Sequence, residues 1–147
     1  MFRHLLVPTD GSELSLAAVE RAVAFAKALN ARITFFYAQP DFPLPVYGEG
    51  ALIDPTTPEQ FRKAAQEEAH TILNAAKEKA SEAGVEADSD TVVSDAPADA
   101  IIDAAERHGC DLIFIASHGR SGIARLLLGS VTNKVLSHTK LPVLVYR

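Results

Sequence analysis

Between Ala116 and Thr132 the chain reads "ASHGRSGIARLLLGSVT", setting Gly119, Gly122, Gly129, Arg120 and Arg125 around a run of leucines. These residue types suit the binding of an anion. Glycine lets backbone N–H groups turn toward a ligand without side-chain obstruction. Gly129-Ser130 opens a helical pattern that runs to His138. A helix N-terminus carries unpaired N–H donors and roughly half a positive charge, so it seats phosphate readily. Ser130 and Thr132 add hydroxyl donors. Arg120 and Arg125 are candidate phosphate contacts, with solvated side chains as the alternative. Gly and Ser also cap helices and shape turns where no ligand binds, so the run gains weight only from its position in the fold.

That position follows from the surrounding elements. "HLLVPTDGS" reads as a short buried strand that stops at Pro8 and opens into Gly11-Ser12. Leu16, Val19, Val23, Ala26 and Leu29 then recur at helical spacing, with Ser12 as N-cap and Glu13 in the first turn. "RITFFYA" is the second strand. Phe61, Ala65, Ala69, Ile72, Ala76, Ala80 and Ala83 form a second helical stripe, closed by Gly84. "VEADSDTVVSD" holds the third strand. Pro97 starts a helix with Ile101, Ile102 and Ala105 on its apolar face. "CDLIFIA" is the fourth strand, and "LPVLVYR" the fifth. The segment from Gln39 to Pro58 carries Pro40, Pro43, Pro45, Pro55, Gly48 and Gly50. Loops of that length in compact domains are mobile insertions or ligand lids, and both readings stand.

Strand and helix thus alternate along the chain, the pattern of a parallel sheet covered on both faces. The expectation is one doubly wound, Rossmann-like α/β domain over residues 1–147, with five parallel strands in the order 3-2-1-4-5. In such sheets, ligands bind beyond the carboxyl ends of the strands, where the strand order reverses. Placing strands one and four side by side brings "PTDGS" and "ASHGRSG" together around one crevice.

Better-known chemistries do not match. The chain has no G-x-x-x-x-G-K-[ST] phosphate loop and no G-x-G-x-x-G in the first strand turn. It has no G-x-S-x-G nucleophile elbow. His4, His70, His108, His118 and His138 are scattered, without the spacing of a metal cluster. His118 alone falls near the crevice, as a turn or supporting residue in preference to a catalytic base. No nucleophile–base pair stands out, so turnover has little support. The formal net charge of -5 offers no basic footprint for nucleic acid. The single Cys110 has no disulfide partner in the chain and reads as a buried, inert thiol in a reducing cytosol. "MFRHLLVPTDG" lacks the apolar run of a signal peptide, and no stretch reaches the roughly 20 apolar residues of a membrane span. A soluble, cytoplasmic protein is expected.

"LLVPTDGS", "DLIFIASHGRSG", "LLLGSVTNKVL" and "LPVLVYR" together resemble the universal stress protein family over essentially the whole chain. Its nucleotide-binding members show Gly-x2-Gly-x9-Gly-(Ser/Thr). The matching run here is Ala116, Gly119, Gly129 and Ser130, with alanine standing where the pattern has its first glycine. The resemblance implies an ATP-binding, usually dimeric protein of the stress response. It further implies that Pro8, Thr9 and Asp10 border the adenosine end and that Ala38 forms part of the apolar wall beside adenine. Ala116, His118 and Gly119 approach ribose and phosphates, while Gly129, Ser130, Val131 and Thr132 hold the phosphate chain. Mg²⁺ would ride on those phosphates, without a protein cage. Asp10 also has a plain reading, as a turn or cap residue before glycine.

The last strand, Leu141 to Tyr146, is apolar and lies at a sheet edge, which invites pairing with a second copy. A homodimer joined by antiparallel pairing of these strands is the expectation, as in similar proteins. The expected function is regulatory or protective binding of ATP, with at most slow hydrolysis. The alternatives are a dimeric interaction module with an empty pocket and, from a different class, an enzyme acting at the α-phosphate.

Overall fold

A computed structural model describes residues 1–42, 57–119 and 128–147. The apolar runs form β1 (His4–Pro8), β2 (Arg32–Gln39), β3 (Ala87–Val93), β4 (Leu112–Ala116) and β5 (Val143–Tyr146). The amphipathic stretches form α1 (Glu13–Leu29), α2 (Pro58–Glu82), α3 (Pro97–Arg107) and α4 (Ser130–His138). The strands pair in the order β3-β2-β1-β4-β5, and every pairing is parallel. Register sets Val7 beside Phe35, Leu5 beside Leu112 and Phe114 beside Leu144.

Alternation along the strands divides the core in two. Leu5, Val7, Ile33, Phe35, Leu112 and Phe114 pack with the small residues of α1 and α2, among them Ala18, Ala22, Ala69 and Ala76. Leu6, Phe36, Ile113 and Ile115 pack with Ala98, Ile101, Ala104 and Ala105 of α3 and Val135 of α4. With helices on both faces, the central strands have no solvent side. That is why they read as unbroken apolar runs. The alanines bring helix backbones close to the sheet.

Helix ends follow the sequence signals. Ser12 caps α1, its hydroxyl accepting from the Ser15 N–H, and Asn30 closes that helix in the left-handed region with φ 54°. Thr57 and Gln60 form a reciprocal capping box on α2. Gly84, φ 73°, follows the Ala83 C-cap of α2 at a position where a side chain would be strained.

Two expectations about faces change. Leu16 is 45% exposed, although its spacing put it on the apolar stripe of α1. The buried position in that turn is Ser15, whose hydroxyl lies 2.6 Å from that of Thr9. This bond fixes which side of the first turn meets the sheet. On α2, Leu73 is buried beside the alanine stripe, while Ile72 packs only partly against the core. The body of the Gln39–Pro58 segment, residues 43–56, lies outside the described residues.

Cys110 is buried just before β4. Burial, reinforced by the neighbouring Asp111 carboxylate, pushes its thiol up to about 12. Native protein at pH 8 should therefore leave a disulfide reagent such as DTNB unreacted, with one thiol titrating only in denaturant. Rapid labelling of the native protein would contradict this burial. No helix among the described residues is long and apolar enough to cross a membrane.

Candidate functional site

The turn after β1 is built by its own polar side chains. Thr9 N–H donates to the Phe36 carbonyl at 2.9 Å, which ties the strand end to β2. The Thr9 hydroxyl is buried against Ser15, and the Asp10 N–H donates to the Ser15 hydroxyl at 3.1 Å. Asp10 Oδ1 accepts from the Ser12 N–H at 3.0 Å, and Gly11 takes φ 79° to complete the bend. Ser15 carries much of this geometry, and only its place at the start of the helix could have signalled it.

The turn after β4 meets the first one directly. β1 and β4 are neighbours in the sheet, and a methyl group added to Gly119 would run into the Asp10 carboxylate. The missing side chain is thus what allows the two turns to touch. His118 is half-buried, its Nδ1 3.2 Å from the Ser117 hydroxyl. Ser117 is itself buried, so this pair presents no exposed nucleophile.

Two hydrogen bonds fasten the first turn of α4 to the end of β4. Gly129 N–H donates to the Ser117 carbonyl, and the Thr132 hydroxyl donates to the Ala116 carbonyl, both at 2.8 Å. The hydroxyl donor that the sequence offers at Thr132 is therefore engaged within the protein, where it positions the helix. A methyl on Gly129 would lie 3.1 Å from His118 Cα and Cβ. The N-cap of α4 is Gly129, which has no side chain to cap it. Helix geometry leaves the N–H groups of Ser130, Val131 and Thr132 without intrahelical partners. Ser130 is exposed and Val131 half-buried. These amides are the donors such a site has to offer.

Ala116 is buried at the end of β4, with its methyl in the core packed against α1 and α2. Alanine at the motif's first position is thus accommodated by packing. Ala38 is half-buried near the end of β2, paired with Val92, and Pro8 is the half-buried last residue of β1. Gln39 and Thr91 lock the β2–β3 end. Gln39 Nε2 donates to the Thr91 hydroxyl at 3.1 Å, and that hydroxyl donates to the Tyr37 carbonyl at 2.6 Å. Nothing in the sequence marks this lock. Arg120, Gly122 and Arg125 lie outside the described residues. Among the described residues no group of three or more His, Cys, Asp or Glu side chains is placed to hold a metal ion.

The fold matches proteins already known. The model of the universal stress protein family matches residues 1–147. The chain belongs to the universal stress protein family. This universal stress protein is 34% identical to universal stress protein YxiE from Bacillus subtilis, with all of both chains covered. The solved structure of protein MJ0577 superimposes with a TM-score of 0.80 at 25% identity, covering 99% of this chain and 95% of that one; MJ0577 is a universal stress protein of Methanocaldococcus jannaschii. A universal stress protein in complex with cAMP superimposes with a TM-score of 0.71 at 31% identity, covering 99% of this chain and 97% of that one.

Proposed function

We propose that this universal stress protein binds an adenine nucleotide, ATP above all, across the ends of β1 and β4, and that binding serves a regulatory or protective role in the cytoplasm. The observation that carries this reading is the uncapped start of α4, stapled to β4 next to the contact between Asp10 and Gly119. A phosphate oxygen would satisfy N–H groups that have no partner within the helix. The relative solved with cAMP supports an adenine nucleotide as the ligand class.

In this reading Pro8, Thr9, Asp10 and Ala38 face the nucleoside. Ala116, His118 and Gly119 approach the ribose and phosphates, and Gly129 to Thr132 hold the phosphate chain. Mg²⁺ would be carried by the phosphates, without a protein cage. In this reading hydrolysis is at most slow. Alanine at the motif's first position gives no ground for an empty pocket, because its methyl belongs to the core. Residues 1–147 act as one domain.

Denaturing the purified protein and resolving released nucleotides by chromatography tests the ligand class, and titration calorimetry with ATP, AMP and cAMP ranks them. Ser130→Pro isolates the amide contribution. Proline is tolerated at the first helical position but removes one N–H. A hydrogen bond to a charged group is worth about 1.5–3 kcal/mol, so ATP affinity should fall at least about tenfold while the fold persists. Unchanged affinity would remove α4 from the site.

Among the described residues β5 pairs with β4 alone and is the edge strand of the sheet, and its four residues are all half-buried. Pairing of this strand, within Leu141 to Tyr146, with a second copy would cover that edge. Sedimentation at micromolar concentration should give twice the chain mass of 15.8 kDa. A monomer would exclude the dimer.

A further inference from the structure

We propose that His4 is an acid-sensitive latch: the amino-terminal end of the sheet closes around a neutral imidazole and opens when that ring takes up a second proton. His4 is 7% exposed and begins β1. Its Nε2 lies 2.7 Å from the Thr34 hydroxyl on β2. Its Nδ1 is buried with no hydrogen-bond partner, alone in this among the side-chain polar atoms of the described residues. A bare ring nitrogen tolerates that position better than an N–H, because a buried donor without an acceptor loses its full hydration.

Among the described residues the carboxylates nearest the ring in the sheet are engaged elsewhere or exposed. Asp111, at the start of β4, accepts from the N–H groups of Arg3 and His4 with Oδ1, and from that of Arg3 with Oδ2. Asp90, on β3, accepts from His108 Nε2 at 2.8 Å, from Arg107 at 3.2 Å and from the Thr91 N–H at 2.8 Å. Asp88, also on β3, is exposed. Arg32 on β2 and His108 at the end of α3 face the ring with positive or ionisable groups. Burial, then Arg32 and His108, hold the His4 imidazole below the ordinary histidine value, against smaller opposing pulls from Asp111 and Asp88.

The same residue knits three strands. Asp111 N–H donates to the His4 carbonyl at 2.9 Å, and Arg32 N–H donates to the neighbouring Arg3 carbonyl at 3.0 Å. Opening at His4 therefore loosens β1 from both β2 and β4.

Because the folded protein binds this proton less readily than the unfolded chain, unfolding takes up a proton as the pH falls. Stability is whole above the unfolded histidine value of about 6.5 and declines below it. Asp90 acts in a different window. Burial pushes its carboxyl up, but the hydrogen bonds from His108, Arg107 and Thr91 outweigh this and hold it below the ordinary value of 3.8. Its stabilisation is present above that value and is lost only as the pH falls beneath it.

Urea unfolding between pH 7.5 and 5.0, compared for the wild type, His4→Gln and the exposed-residue control His138→Gln, tests the latch. The wild-type unfolding constant should steepen toward tenfold per pH unit below about pH 6.5. His4→Gln should lose that increment, and His138→Gln should keep it. In the wild type, the ring proton signal of His4 should titrate below the ordinary histidine value. An unaltered acid slope in His4→Gln, or a His4 ring titrating at or above about 6.5, would overturn the proposal. If His4→Gln fails to fold, the wild-type titration decides alone.

Discussion

Phe36→Ala should lower the unfolding free energy by about 3–5 kcal/mol, seen as a lower urea midpoint with little change in slope. Phe36 is fully buried in β2, on the face of the sheet covered by α3 and α4. Its neighbours in that half of the core include Ala98, Ala104 and Ala105, which are too small to reach into the space a lost ring would leave. The helix backbones would have to move, and their packing on the adjacent strands resists this. Phe36 also supplies the carbonyl that receives the Thr9 N–H, so any sag of β2 reaches the turn that borders the proposed nucleotide site. Leu16→Ala serves as the comparison. Leu16 lies exposed on α1, and its loss should stay within about 0.5 kcal/mol. Similar midpoints for the two variants would mean that the two-sided core is wrongly drawn.

The sequence carried the frame because a sheet covered on both faces writes itself as apolar runs. "RITFFYA" and "DLIFIA" have no solvent side, and the structure gives neither of them one. Strand order was legible for a different reason: two turn-rich segments, "PTDGS" and "ASHGRSG", made sense only side by side. What escaped was set across space. Spacing alone put Leu16 on the buried face of α1, but the Thr9–Ser15 bond turned the helix otherwise. Thr132 read as a free donor until its partner, the Ala116 carbonyl, stood beside it. The His4–Thr34 pair joins residues thirty positions apart in different strands, and no periodicity announces such a pair.

The two motif glycines show the same division and lead to the strongest test of nucleotide binding. Sequence reasoning explains them by backbone freedom, yet Gly129 has φ -62° and ψ 158°, open to any residue. The requirement is steric and comes from across the turn. At Gly119 the obstacle is the tip of the Asp10 side chain, so an added methyl must displace a carboxylate that also holds the Ser12 N–H. At Gly129 the obstacle is backbone. A side chain there presses on His118 Cα at 3.1 Å and the Ser117 carbonyl at 3.3 Å. That carbonyl also receives the Gly129 N–H, which closes the base of the turn. Gly129→Val would force these apart, at a cost of about 1–3 kcal/mol in stability. Displacing the start of α4 misdirects the first-turn amides of Ser130, Val131 and Thr132 together. ATP affinity should therefore fall at least about 100-fold, roughly 2.8 kcal/mol, a larger loss than Ser130→Pro gives. Calorimetry on the two variants, with circular dichroism to confirm a native fold, makes the comparison. A folded Gly129→Val protein that still bound ATP like the wild type would show that the phosphates lie elsewhere, because the substitution leaves the polar groups of α4 in place and shifts only where its amides point.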